Sequence, residues 1–394
     1  MRIIYSWGRA QEELRRDEEA EINHWVNAGY EITQVRDKEE LGITGPWLPP
    51  QTLEKLYHAK DERLLRLYDK VEKLAQTHDV LICNYGNVYH PRFLESLKNI
   101  YKVIVSPNDP EGSNRQSRPY VHAFDHSFAW GIKFDNHSRI TEKFLEWGAK
   151  RADWWPCGVW QNRYDHSLTE EAIYNRERDI DLVYVGVPWI KLKRIMEIKR
   201  AVPQMALYGW GWGPRVFLGS VVSFHRACGR WDRDMLRAGI EALLRGFWRV
   251  RPLPPGEIVG LYQRCKIGIN MHLSFGASNM RIYELPANGV MQICDCPEEL
   301  GEIFEVGKEV VGYHSTEEAI DLIRYYLEHD NERKEIAAAG FRRVMKDYKR
   351  LTTFCNAMEK VKRGMVEEGI KFFKDGTAIS FASGGGDQGE AGLG

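Results

Sequence analysis

Short apolar runs alternate with charged, helix-like stretches along most of the chain, and this alternation limits what it can fold into. Helical patterns at Glu12–Asn27 and Gln51–Gln76 separate the strand patterns of the first half. Strand–helix–strand repeats of this kind predict a parallel sheet covered by helices, with ligands bound beyond the carboxyl ends of the strands. The first-half strand patterns are Arg2–Ser6, Tyr30–Val35, Val80–Cys83 and Lys102–Val105.

The alternation starts again at Asp181–Gly186, after a weak and polar pattern at Gln161–Arg178 where we place the domain boundary. A chain of 394 residues exceeds the roughly 250–300 residues at which a single core stops growing, so two domains are expected. We therefore predict an α/β fold with Rossmann-like domains at residues 1–170 and 178–350. The later strand patterns are Ala206–Gly209, Ile267–Asn270, Met291–Cys294 and Val310–Tyr313.

Three further segments are expected outside this alternation. The arginine-rich stretch 214–250 reads either as an insertion facing a phosphorylated or acidic partner or as a solvated helical face. Residues 351–373 are expected to form a helix that packs back on the first domain. Residues 374–394 are rich in glycine and lack an apolar pattern, which predicts a disordered tail without a site.

Charge and cysteine usage exclude several classes of protein. The formal net charge is −1, so no global field attracts the chain to nucleic acid or to an anionic membrane. The 7 cysteines are odd in number and scattered, which favours reduced thiols in the cytoplasm over a disulfide framework. The amino-terminal residues lack the apolar core of a signal peptide, and no membrane-spanning run is found.

The segment Gly276–Gly289 carries the clearest chemistry in the sequence. A glycine loop leads into a helix whose start can be capped by Ser278 or Asn279, and free amides there suit a diphosphate. Arg281 lies in the first turn and can add a charge-assisted bond to phosphate. Glu284 can accept hydrogen bonds from vicinal hydroxyls such as those of a ribose. The alternative is a capped surface helix in which Glu284 is only solvated.

This segment and the residues that follow resemble a known family. The run Ser278…Arg281-Ile-Tyr-Glu284-Leu-Pro-Ala-Asn-Gly289, continued by Glu298–Tyr313 and Ile336–Val344, looks like the C-terminal half of two-domain GT-B glycosyltransferases. Within that fold it is most similar to the spore-maturation, CgeB-like branch. The resemblance implies two Rossmann-like, doubly wound domains facing a central cleft.

The resemblance also implies residue roles. Glu284 is expected to hold the ribose of a nucleotide sugar, and Gly276, Ser278 and Asn279 are expected to meet the diphosphate. Retaining relatives carry a pair of glutamates in an E-x7-E pattern, and Gly276 stands where the first of the pair is expected, eight positions before Glu284. Further donor-binding candidates in the second domain are Gly186, Lys193, Arg194, Tyr208 and Arg251; for the first three the alternative is a turn glycine followed by a basic helix face.

The sequence indicates catalytic and metal-binding residues less clearly than donor-binding ones. A transfer that inverts the anomeric centre needs a base, and Asp125, His126 and Asp109 are the candidates in the first domain. Asp125 could equally cap a helix, and His126 could be a packed core residue. Asp179-Ile-Asp181 precedes a strand instead of following one, so we reject it as a metal-binding pair and expect no required metal or cofactor.

The sequence therefore predicts a metal-independent glycosyltransferase that takes its sugar from a nucleotide diphosphate sugar, with a UDP-sugar favoured. Its acceptor is open: a protein, a glycan, a small molecule or modified nucleic acid. Two alternatives remain on the same fold. One is a sugar-nucleotide-binding or structural protein without turnover, and the other is a nucleotide-sugar epimerase.

Overall fold

Two parallel sheets, one in each half of the chain, organise the computed structural model. It describes residues 1–7, 12–43, 48–84, 88–106, 117–135, 137–213, 222, 233–272, 279–370, 372–374 and 377–379. The first sheet has the order β2-β1-β3-β4-β5-β6, and the second has the order β11-β10-β9-β7-β8. The strands are β1 Arg2–Ser6, β2 Glu31–Val35, β3 Val80–Asn84, β4 Tyr101–Ser106, β5 His126–Ala129, β6 Ala152–Trp154, β7 Ile180–Val185, β8 Ala206–Tyr208, β9 Cys265–Asn270, β10 Met291–Cys294 and β11 Val311–Gly312.

Helices cover both sheets. In the first half they are α1 Glu12–Asn27, α2 Asp37–Glu40, α3 Pro50–His58, α4 Glu62–Ala75, α5 Pro91–Ser96, α6 Ile140–Glu146 and α7 Glu170–Asn175. In the second half they are α8 Leu192–Ala201, α9 Arg233–Leu244, α10 Ile258–Gln263, α11 Arg281–Ala287, α12 Pro297–Leu300, α13 Thr316–Glu328, α14 Asp330–Asp347 and α15 Arg350–Glu367.

The single helix predicted over Gln51–Gln76 is wrong, because the chain breaks it into α3 and α4. Lys60 takes a positive φ of 53°, which ends the first helix. Asp61 then caps the second helix by accepting the backbone amides of Arg63 at 3.0 Å and Leu64 at 3.4 Å. A polar residue with a short side chain thus restarts the helix one turn after α3 ends.

The last long helix, α15, leaves the second domain and packs against the first. The Phe354 ring stacks on Trp25 of α1 with 4.0 Å between centroids. Arg350 is 3% exposed, and its guanidinium lies 4.9–5.7 Å from the centroids of four tryptophan rings. Aromatic stacking and cation–π contacts of this kind hold α15 on the first domain. The four tryptophans are Trp25, Trp130, Trp155 and Trp160.

Two of the expected outer segments can be placed in part. Within 214–250, the helix α9 buries Met235, Ala238 and Ala242 in the core of the second domain. Of the predicted tail, Thr377–Ile379 pairs antiparallel with Phe372–Lys374, so its first residues form a strand; residues 380–394 lie outside the described residues.

Candidate functional site

The carboxyl ends of β7, β9 and β10 lie side by side at one edge of the second sheet. All three strands are parallel, with Val183 opposite Gly268 and Cys294 opposite Asn270. The chain leaves these strands at Gly186, Met271 and Asp295. In a doubly wound sheet this is the edge at which ligands bind.

Arg281, the first residue of α11, bridges two of these strand ends. Its guanidinium donates to the carbonyl of Val185, and to that of Met271 at 3.4 Å, and it lies 5.4 Å from the centroid of the Tyr184 ring. A Cβ at Gly186 would collide with Nη1 of Arg281. Gly186 is therefore required for the guanidinium to approach the end of β7 this closely.

Two more cations lie beside Arg281. Lys191 is 2% exposed, its Nζ lies 5.5 Å from the centroid of the Tyr184 ring, and no described carboxylate is within ion-pair distance. Burial lowers the pKa of Lys191 to about 6, with Arg281 and Arg194 adding to the effect. Arg194 on α8 donates to Asp295 at 3.1 Å. We call Lys191, Arg194 and Arg281 the cationic seat.

Asp295 is the carboxylate of this edge, and it fixes a histidine. It accepts the Nδ1–H of His272 at 2.7 Å and the backbone amide of His272 at 3.0 and 3.1 Å. Burial would raise the pKa of Asp295, but the hydrogen bonds and charges of His272 and Arg194 hold it below its ordinary value. The other ring nitrogen of His272, Nε2, is buried and bonds no described residue. Asp295 therefore fixes the orientation of the His272 ring.

The ligand atoms of His272, Asp295 and Cys296 lie within 4.8 Å of one another, so these residues form a candidate metal group. The cationic seat next to it disfavours a divalent cation, because Arg194 already holds Asp295 and like charges repel at short range. The absence of a required metal stays a prediction.

Asn279 and Glu284 flank Arg281 along the chain. The side-chain oxygen of Asn279 accepts the backbone amide of Ile282 at 3.2 Å and the side-chain amide of Asn270 at 3.0 Å, which ties the start of the helix to β9. Ser278 and Gly276 lie outside the described residues. Asn279 therefore holds α11 in place at this edge.

Glu284 is buried where the two domains meet. It is 4% exposed, and no hydrogen bond joins its carboxylate to another described residue. Burial raises the pKa of Glu284, whereas the nearby charges of Arg163 and Arg281 lower it and that of Asp17 raises it. Arg163 itself pairs with Asp17 of α1, so the first domain supplies one wall around this carboxylate.

Two other donor-binding candidates lie together at the neighbouring strand end. The guanidinium of Arg251 is 5.9 Å from the centroid of the Tyr208 ring, and the amide of Gly209 donates to the carbonyl of Arg251 at 3.2 Å. Lys193 does not join the cationic seat. It pairs with Asp234 at 3.3 Å on the outer side of α8, because it lies one residue before Arg194 on the helix.

The structure does not bring Asp125 and His126 to the cleft. Both lie at the amino end of β5, and ligands bind at the opposite edge of such sheets. Asp125 accepts from the Lys102 amide at 2.8 Å and from Lys150 Nζ at 2.6 Å, and His126 bonds Asp153 at 2.9 Å. Their proposed catalytic role is therefore corrected to a structural one. Asp109 lies outside the described residues.

Sequence reasoning missed Lys191, His272, Asp295 and Arg163 as residues of this edge. Asp295 directly follows a predicted strand and His272 lies two residues beyond another, so strand ends could have indicated both. Lys191 lies in a basic stretch of the sequence, and only the structure shows that it is buried. Arg163 belongs to the polar stretch between the domains, which carries no motif.

Two parallel-sheet domains joined by a returning C-terminal helix are the GT-B architecture, and the chain has this fold. Residues 195–356 match the model of the glycosyl transferase-like family, which is less than half of the chain. No curated protein matches the sequence. None of the described helices is both long enough and apolar enough to span a bilayer.

Solved structures support the fold along nearly the whole chain. Sucrose-phosphate synthase from Thermosynechococcus elongatus shares 13% identity at a TM-score of 0.58, over 93% of this chain and 100% of that one. A glycosyltransferase from Rickettsia africae shares 13% identity at a TM-score of 0.59, over 92% of this chain and 98% of that one. HepE of Anabaena, solved with UDP-glucose, shares 15% identity at a TM-score of 0.54, over 92% of this chain and 100% of that one. At these identities the likeness is one of fold alone.

Proposed function

We propose that this protein is a glycosyltransferase that takes its sugar from a nucleotide diphosphate sugar. The observation that carries the proposal is the cationic seat at the carboxyl edge of the second sheet, in which Lys191 and Arg281 lie against the Tyr184 ring and Arg194 pairs with Asp295. Because the lowered pKa leaves Lys191 mostly neutral at pH 7, the two arginines against one carboxylate leave an excess of about one positive charge, and a bound anion would favour protonation of Lys191 as well. A diphosphate is the ligand group that would neutralise it.

The similarity to known proteins also supports this proposal. The glycosyl transferase-like match includes Arg281, Glu284, His272 and Asp295. HepE, which shares the fold, was solved with UDP-glucose, so we propose a UDP-sugar as the donor here. The CgeB-like branch and a cytoplasmic location also stay proposals. All six cysteines of the described part are free, which agrees with a reducing compartment.

In the proposed reaction, the bond from the anomeric carbon to the β-phosphate oxygen breaks and its electron pair leaves with the nucleoside diphosphate. The acceptor oxygen bonds the anomeric carbon, and its proton passes to a base. The cationic seat would stabilise the charge that develops on the leaving diphosphate, a role that metal ions fill in other enzymes. We therefore propose that no metal is required.

Binding and titration of donors test the proposal directly. We expect UDP-glucose or another nucleotide diphosphate sugar to raise the thermal midpoint of the protein, because ligands of the native state stabilise it. Arg194→Met should abolish this shift, and Lys193→Met, one residue away but paired with Asp234 outside the seat, should preserve it. If no nucleotide diphosphate sugar shifts the midpoint, the proposal fails.

A sugar-nucleotide-binding protein without turnover is the second candidate. The observation that favours it is Gly276, which stands where retaining relatives carry a glutamate. This candidate expects the same thermal shift but no release of nucleoside diphosphate from any donor. Measuring UDP release with and without acceptor mixtures separates the two.

A further inference from the structure

The helix α9 carries apolar side chains on two of its sides. One side is buried in the core of the second domain. On another side, Leu236, Ile240 and Leu244 are 48%, 50% and 83% exposed. A spacing of four residues places these three side chains in one row along the helix. Single exposed apolar residues are common on soluble proteins, but a row of three on one helix indicates an interaction surface.

Two arginines flank this apolar row. Arg233 and Arg237 stand three residues before Leu236 and Ile240, and residues three apart are neighbours on a helix surface. Both arginines are exposed, and the Arg237 side chain is 79% accessible to solvent. We define the outer face of α9 as these two arginines together with Leu236, Ile240 and Leu244.

The two carboxylates of α9 are directed away from the outer face. Asp234 pairs with Lys193 at 3.3 Å, and Glu241 pairs with Arg200, so both acids face the neighbouring helix α8. Asp234 also lies 3.6 Å from Arg237. Because Asp234 is shared by two cations, it offsets only part of the charge of Arg237.

The sequence around α9 adds to the positive charge. Residues 214–250 include seven arginines and three acidic residues, whereas the whole chain has a formal net charge of −1. This segment therefore carries a local excess of four positive charges in a chain that is close to neutral. It also contains five phenylalanine or tryptophan residues, and basic segments with such residues are typical of membrane-surface binding.

Charge and apolar exposure together distinguish between the partners that could cover the outer face. A second copy of the chain bound through the same face would bring like charges together, which is unfavourable at short range. Nucleic acid would meet the arginines, but its affinity comes mainly from phosphate contacts, which the apolar row cannot make. An anionic lipid surface suits both kinds of side chain, since lipid phosphates attract arginine and the apolar residues enter the boundary with the acyl chains.

We propose that the outer face of α9 docks the protein on an anionic lipid membrane surface. The helix has 12 residues and would lie in the plane of the surface, with Leu236, Ile240 and Leu244 inserted and Arg233 and Arg237 at the headgroups. The docking is peripheral and uses no residue of the cationic seat. The proposal therefore does not depend on donor binding.

Sedimentation of the full chain with vesicles tests the proposal. We expect the protein to bind vesicles of phosphatidylglycerol and phosphatidylcholine about tenfold or more tightly than vesicles of phosphatidylcholine alone. The triple variant Leu236→Gln/Ile240→Gln/Leu244→Gln keeps good helix formers and should weaken binding to the anionic vesicles by about tenfold or more. Arg233→Gln/Arg237→Gln should weaken it by about tenfold as well.

The matched control replaces three exposed apolar residues on three other helices. In Leu65→Gln/Leu145→Gln/Val366→Gln, the replaced side chains are 47%, 51% and 56% exposed, on α4, α6 and α15. This variant should bind the anionic vesicles like the wild type, and urea unfolding should show that all the variants are folded.

Three results would overturn the proposal. The first is a wild type that does not bind the anionic vesicles, and the second is a triple variant that binds them as well as the control. The third is a wild-type dimer in light scattering that the triple variant abolishes, since the outer face would then join two copies. If duplex DNA competes with the vesicles and only the arginine variant loses binding, the face is a nucleic-acid surface and the proposal also fails.

Discussion

Replacing Lys191 by methionine should make the protein more stable and its donor binding weaker. Lys191 is buried beside Arg194 and Arg281, and the ring of Tyr184 lies under its ammonium group. Methionine has a similar length, fills irregular gaps and needs no counter-ion. Stability and donor affinity change in opposite directions. Burying the amine destabilises the ligand-free protein, whereas a bound diphosphate offsets this cost by interacting with the ammonium group.

The size of the stability effect follows from the pKa of Lys191, which is lowered from 10.5 to about 6. Between these values the unfolded chain binds the proton and the native protein does not, so native stability rises with pH. The loss at pH 7 relative to a high pH is at most about 5 kcal/mol, at about 1.4 kcal/mol for each pH unit. Lys191→Met removes this loss, and its gain over the wild type should shrink as pH rises towards 10.5.

Binding of UDP-glucose should show the complementary dependence. Because the diphosphate favours the ammonium form, affinity in the wild type should fall by up to about tenfold for each pH unit above 6. Lys191→Met should bind more weakly near pH 6 and lack this dependence. UDP-glucose is preferred to UDP since its diphosphate has no proton to release in this range.

Urea unfolding at several pH values and calorimetric titration of UDP-glucose measure both effects, with Lys193→Met as the exposed control on the same turn. The reasoning is refuted if Lys191→Met is less stable than the wild type at pH 7. It is refuted equally if the variant binds UDP-glucose with unchanged affinity and pH dependence.

Three other substitutions test the remaining parts of the site and the domain junction. Glu284→Gln should weaken UDP binding about tenfold or more without loss of stability, since the buried carboxylate has no described hydrogen bond to lose; unchanged calorimetric affinity would contradict a ribose contact. Asp295→Asn should lower turnover of UDP-glucose by about tenfold because it releases His272 from its charge-assisted bond, and unaltered kcat would exclude a role for this pair. Arg350→Met should cost about 2–3 kcal/mol in urea unfolding, since four tryptophan rings surround the guanidinium, and a smaller loss would mean that these contacts contribute little.

The sequence predicts strands and helices well where periodicity is strong. The strand at Arg2–Ser6 and the helix at Glu12–Asn27 have the predicted bounds. The strand His126–Ala129 is missed because its sequence, His-Ser-Phe-Ala, has no β-branched residue and no continuous apolar run. That omission explains the error over Asp125 and His126: without the strand, its amino end could not be told from its carboxyl end.

The site was predictable only in part for a related reason. Arg281 and Glu284 stand in a motif, so the sequence alone indicates them. Lys191 and Lys193 are two positions apart in a basic run, and periodicity does not say which of them is buried. Their environments diverge because Lys191 ends a turn that packs under Tyr184, while Lys193 projects from the outer face of α8 towards Asp234. Tertiary packing, not composition, therefore separates the buried Lys191 from the partly exposed Lys193.

The described residues include groups that would assist departure of the diphosphate, but fewer that could activate the acceptor. The second domain supplies the cations that would stabilise a leaving diphosphate, and the two arginines among them are fixed by hydrogen bonds to strand ends before any ligand arrives. At the carboxyl edge of the first domain, the described carboxylate Asp37 is 1% exposed and accepts the hydroxyl of Ser6 at 2.8 Å, while Asp125 and His126 lie at the opposite edge. Departure of the diphosphate should therefore be measurable by itself, as slow release of UDP from UDP-glucose to water. Arg194→Met should suppress this hydrolysis, and Asp125→Asn should not.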